Sequence, residues 1–156
     1  MFITVHSAIG IAAVSALSLQ NPVAALVVGW LLHYVGDVVP HGDEQLGVWC
    51  WSGARPVRRL GLIFILDFCL ILLGLWGLHF LTNLTGVILM AVLGSIIPDV
   101  LLGTEIVLGR RTFSCFSRFH NAVHRFTGIT HPLFYGFLFQ VGLLILMFVA
   151  IRHLLL

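Results

Sequence analysis

Apolar residues run along this chain in long unbroken stretches, and the polar ones gather at the breaks between them. Residues 2–19 form a first apolar run rich in Ala, Ile and Val. Asn21-Pro22 interrupts it, with Pro22 suited to the first turn of a second helix over residues 22–39. Both runs are slightly short for a full bilayer crossing, so the pair reads as a tilted or re-entrant hairpin if it does not span. A third helix is expected over residues 60–81, long enough to cross, with one ionisable residue inside it, Asp67. Asn83 marks a turn, and a further apolar helix continues to Ile97, where Pro98-Asp99 is expected to stop it. The last helix starts near His131-Pro132 and runs to about residue 151. This pattern predicts an all-α, polytopic membrane helix bundle of about five transmembrane or partly re-entrant helices, forming one domain with connecting loops over residues 41–59 and 99–130.

Composition supports a bilayer setting. Of the 156 residues, 60% are hydrophobic and 9% charged, whereas a soluble bundle would need charged outer faces that these runs lack. All basic side chains are arginines, and most sit in the two long loops: Arg55, Arg58 and Arg59 in the first, Arg110, Arg111, Arg118 and Arg125 in the second. Two helices separate these loops, so both lie on one side. The positive-inside rule makes that side cytoplasmic. The expected protein is therefore integral to the cytoplasmic (inner) membrane, with its N-terminus inside and its C-terminus outside. Trp49 and Trp51 suit the interface. A net charge of +2, without a broad basic surface or stacking platform, argues against nucleic-acid binding.

Charged side chains inside hydrocarbon cost several kcal/mol unless paired, hydrated or metal-bound, so the few present are informative. His33 and Asp37 stand four apart on one helical face, and His41 and Asp43 follow where the chain leaves that helix. His120 and His124 repeat the spacing, and His131 opens the last helix. Under the five-crossing topology His6, His41, Asp43, Asp99, His120, His124 and His131 share the cytoplasmic face. His33, Asp37 and Asp67 lie one to three turns deeper from that same face. Asp67 is expected at about the depth of His33. It serves there either as an acceptor behind a metal-bound imidazole or as a plain structural partner. A mixed His and carboxylate set favours zinc foremost, with manganese or iron as alternatives, and offers enough groups for one or two ions.

These motifs resemble the bacterial and archaeal membrane-bound metal-dependent hydrolase family, long filed as a domain of unknown function. That family has an early Thr-His, a Pro-Asp-x-Asp after its second helix and a late His-Arg…Thr-His-Ser. Here the counterparts are Thr4-Val5-His6, Pro40-His41-Gly42-Asp43, His124-Arg125 and Thr130-His131-Pro132. The resemblance implies a cytoplasm-facing metal site of His6, His41, Asp43, His124 and His131. The expected activity is hydrolysis of a phosphoester or other ester of an amphipathic or lipid substrate. Asp37 or Asp99 would orient or deprotonate water, Arg125 would meet substrate charge, and His33, Asp67 and His120 would act as supporting or additional ligands. Two other readings stay open from the residues. One is a metal-ion or proton transporter using His33, Asp37 and Asp67, and the other a noncatalytic membrane adaptor. Oligomeric state is not legible.

Overall fold

Among the described residues the chain forms the helices α1 (Ile3–Ala16), α2 (Pro22–Val38), α3 (Pro56–Leu81), α4 (Gly86–Leu108), α5 (Ser114–His124) and α6 (Leu133–Leu155). The computed structural model describes residues 1–42, 50, 52, 55–81, 85–108 and 113–155, and no strand occurs among them. Asp43, Trp49, Trp51, Asn83, Arg110 and Arg111 lie outside the described residues. The all-helical architecture matches the sequence pattern. Among the described residues three helices, rather than five, are long and apolar enough to cross a membrane: Val57–Phe80, Gly86–Leu108 and Leu133–Leu155. The other two apolar helices have 14 and 17 residues. At 1.5 Å per residue they reach only about 21 and 25 Å, below a hydrocarbon thickness of roughly 30 Å.

The start of α2 follows local chemistry. The Asn21 side-chain oxygen accepts from the Val23 and Ala24 amides at 2.9 and 3.2 Å, and Pro22 opens the helix without needing a hydrogen-bond partner. The end of α4 departs from expectation. Pro98 lies inside the helix, which continues to Leu108. Proline removes one backbone hydrogen bond and can kink a helix without ending it. In the apolar stretch that follows, leaving the helix would strand backbone groups with no water to bond. Asp99 is therefore a mid-helix residue rather than the first residue of a loop, and the expected loop over 99–130 contains the end of α4 and all of α5.

Small residues bring α2 and α4 together. A Cβ on Gly29 would run into the Ala91 carbonyl oxygen, and one on Gly94 into that of Leu26. Such close approach is how helices pack where lipid supplies little hydrophobic drive. α1 lies in the groove between α2, α4 and α6, with Gly10 against Ser95. Its outer end and that of α2 meet α4 through Val14, Ala25 and Ala91. A second cluster of Ile3, Ile11, Ile71, Ile88 and Ile151 ties α1 to α3, α4 and α6. α3 packs chiefly on α1. Its Leu62, Leu66, Leu73 and Trp76 side chains are exposed, as a lipid-facing surface requires.

The N-terminus of α1 is held by tertiary partners. Asp67 accepts from the Ile3 amide at 2.6 Å and the Thr4 amide at 3.2 Å, and it also takes the Thr4 hydroxyl. A carboxylate at the positive end of a helix satisfies donors that have no intrahelical acceptor. Asp67 thus anchors α1; it is not the partner of His33 that its depth suggested. Asp67→Ala is expected to lower stability by about 1–3 kcal/mol, the usual cost of leaving buried donors unsatisfied, without displacing His33 or Asp37. A thermal melt in detergent measures the effect.

Candidate metal centre

Two helical pairs of residues and three single ones converge on Asp37. The i,i+4 spacing on α2 puts His33 and Asp37 on the face toward α4, and the same spacing on α5 aims His120 and His124 at that carboxylate. His6 comes from α1, Asp99 from α4 just beyond Pro98, and His41 from the segment leaving α2. The Asp37 side chain is fully sealed from solvent.

Four imidazoles surround it through Nε2. His6 lies 3.0 Å from Oδ1, while His33, His124 and His120 lie 3.0, 3.2 and 3.7 Å from Oδ2. Asp99 adds a second carboxylate, its Oδ1 3.4 Å from His120 Nε2 and 3.8 Å from His33 Nε2. His120 and His124 bring their Nε2 atoms within 3.1 Å of each other. The backbone nitrogen of Met1 approaches from the open end of α1, 2.6 Å from His41 Nε2 and 3.2 Å from Asp37 Oδ1.

Backbone carbonyls fix two of the rings. A carbonyl can only accept, so His33 Nδ1 donates to Ser95 O at 2.8 Å and His41 Nδ1 donates to Val39 O at 2.6 Å. In the neutral ring each Nε2 then carries a lone pair, and that of His41 accepts from Met1 N at 2.6 Å. For His33 that lone pair faces two carboxylates. Burial holds His120 well below the ordinary histidine value, at about 3, so its ring is neutral near pH 7. Both ring nitrogens of His6, His33 Nε2, Asp37 Oδ2 and His120 Nδ1 are buried without hydrogen-bond geometry to any partner. Lone pairs pointed at a sealed carboxylate repel it unless a cation or a proton stands between them; Met1 N forms an ion pair with Oδ1 at 3.2 Å, while Oδ2 faces three imidazoles. The donor set fits a divalent ion, and the outer bonds to Ser95 and Val39 are those that orient metal-bound imidazoles. Three overlapping groups have the spacing to hold an ion: His6, His33 and Asp99; His33, Asp37 and His120; and Asp37, His41 and His124.

Of the residues singled out from sequence, His6, His41 and His124 are gathered here together with Asp37 and Asp99. His33 and His120, expected in supporting positions, stand inside the cluster. His131 and Arg125 are exposed and belong to none of these groups. Asp67 is taken up at the start of α1. Asp43 lies outside the described residues.

Three contributors escaped the sequence reading. Ser95 acts through its carbonyl, which no side-chain pattern reveals. Gln140, a lone amide in an otherwise apolar helix, was a visible signal. It accepts from the Phe2 amide at 2.7 Å and donates to His41 O at 3.0 Å. Glu105, near the end of α4, accepts from the Phe113 amide at 3.2 Å and from the Ser117 hydroxyl, fastening the first turn of α5. That tie sets where His120 and His124 point. Glu105→Ala is expected to leave the bundle intact and weaken the affinity for an added divalent metal about tenfold, as loss of residues behind metal ligands commonly does. Competition with a chromophoric chelator measures it.

No family model, curated protein or solved structure matches the chain.

Proposed function

We propose that this protein is a membrane-embedded metal-dependent hydrolase, cleaving a phosphoester or other ester of an amphipathic substrate. The observation that carries the reading is Asp37, a solvent-sealed carboxylate faced by four imidazole Nε2 atoms. Zinc is the foremost candidate, with manganese and iron as alternatives. Because His33 and Asp37 each belong to two of the three groups, the centre offers room for one ion or for two sharing the Asp37 carboxylate. An ion bound there supplies Lewis acidity toward a phosphoryl or carbonyl oxygen.

The residues divide the remaining work by exposure. Asp37 is enclosed by histidines and suits charge balance and ligation. The Asp99 side chain is 21% exposed and touches two of those histidines, His33 and His120, so it suits the role of accepting a proton from incoming water. Arg55, Arg58 and Arg59 at the start of α3, with Arg118 and Arg125 at α5, support a cytoplasmic setting for this end of the bundle by the positive-inside rule, with α1 and α2 as a re-entrant hairpin and the C-terminus outside. The transport reading loses ground because Asp67 is engaged by α1 amides, which removes a relay to His33.

The test is turnover by purified protein on phosphate monoesters and carboxylic esters, before and after chelation. Activity should vanish with chelator and return with zinc or manganese. Asp99→Asn should lose about 100-fold or more, the usual contribution of a general base. No turnover of either ester class by metal-loaded protein would remove the hydrolase reading.

A further inference from the structure

The centre is nearly closed. His6, His33, Asp37 and His120 side chains have no solvent exposure, and His124 has 16%. Asp99 is the carboxylate a substrate can reach, and it lines an apolar slot of about 450 Å³ between α3 and α4. The slot is open along one side, and its walls include Leu60, Phe64, Val100, Ile106 and Leu108. Its floor is formed by Met1–Ile3 and Asp67, and Asp67 is already committed to α1. The two helices that frame it are two of the three long and apolar enough to cross the bilayer, so an opening between them gives onto lipid.

We infer that this slot is a lateral entry from the bilayer. It seats the single hydrocarbon chain of an amphipath whose ester group reaches Asp99. The inference names a substrate class for the hydrolase proposed above and rests on that reading for its chemistry. A chain already in lipid enters an apolar slot at little cost. A small polar solute would cross walls with almost nothing to hydrogen-bond it. Continuity with Asp99 separates this slot from the groove between α1, α3 and α6. That groove is more apolar still, and its described lining includes no histidine or aspartate.

Two glycines allow a direct test. A Cβ on Gly61 or on Gly103 would meet nothing within 4 Å, and both residues line the slot, so phenylalanine at either place fills it without a backbone clash. Gly74 is open in the same way but lines the other groove, and Gly74→Phe is the control. The probe is a long-chain alkyl phosphonate carrying a diazirine, photocrosslinked to protein in liposomes with and without zinc and mapped by peptide mass spectrometry. Labelling should fall within residues 60–67 and 99–108, and be lost in Gly61→Phe and Gly103→Phe but kept in Gly74→Phe. The ratio of long-chain to short-chain phosphate ester turnover should fall about tenfold or more in the two slot variants, the scale on which hydrophobic pockets discriminate. Labelling unchanged by both substitutions, or spread over the outer face of α3, would overturn the inference. So would a second copy of the chain crosslinked into the slot. Phosphonate labelling in the slot of a protein that binds no metal and turns over nothing would keep the chain site and reject the hydrolase.

Discussion

Asparagine at position 37 is expected to strip the centre of its divalent ion while the bundle stays assembled. Asp37 lies within 3.7 Å of His6, His33, His120 and His124, and removing its negative charge weakens the hold of those four imidazoles on a cation. Asparagine keeps the shape, and its amide can donate to a bare Nε2, so the polar cluster remains satisfied without an ion. Zinc affinity should fall by more than about 100-fold, since even a residue behind the ligands costs about 10–100-fold. Competition against a chromophoric chelator reads the affinity, and a monodisperse elution profile establishes that the fold survived. A variant that binds zinc as the wild type does would mean that the cation is held elsewhere.

The second large effect is expected far from any ligand. Gly29→Val should separate α2 from α4, because its Cβ would collide with the Ala91 carbonyl and stand 3.0 Å from Ser95 Oγ. The obstacle is backbone, which cannot swing aside as a flexible side chain can. Overpacking of this kind costs about 1–3 kcal/mol, and the upper end is expected here. The loss should reach the centre as well, because His33 is oriented by the carbonyl of Ser95 across that same helix pair. Thermal melting and zinc retention should therefore fall together. Gly74→Val, whose Cβ meets nothing within 4 Å, should leave both unchanged. Equal melting of the two variants would show that the α2–α4 contact is not the support of the fold.

Both i,i+4 pairs were legible in the sequence because helical spacing alone puts their members on one face. His33 with Asp37 and His120 with His124 could be read without knowing what lay opposite. The depth of Asp67 was also readable, but not its partner, since that depends on the register of α3 against the free amides of α1. Pro98 was misleading for a physical reason. Its preference for ending a helix is set in water, whereas the mostly apolar residues 100–108 gain by staying helical. His131 and Arg125 carried weight only through short motifs, and α6 begins in a position that leaves both exposed. The carbonyls of Ser95 and Val39, which orient His33 and His41, are backbone groups and leave no mark on sequence. The tie from Glu105 to α5 spans 8 and 12 residues across a segment where no periodicity applies.

The metal content of the purified protein is the most direct test of the central claim. Elemental mass spectrometry should find one or two zinc, manganese or iron ions per chain in the wild type prepared without chelators. None should remain in a monodisperse protein carrying both His33→Ala and Asp37→Asn. A wild type that holds no ion, and takes none when zinc or manganese is added back, would contradict a metal centre. The seven histidines and aspartates would then be a buried proton-sharing network.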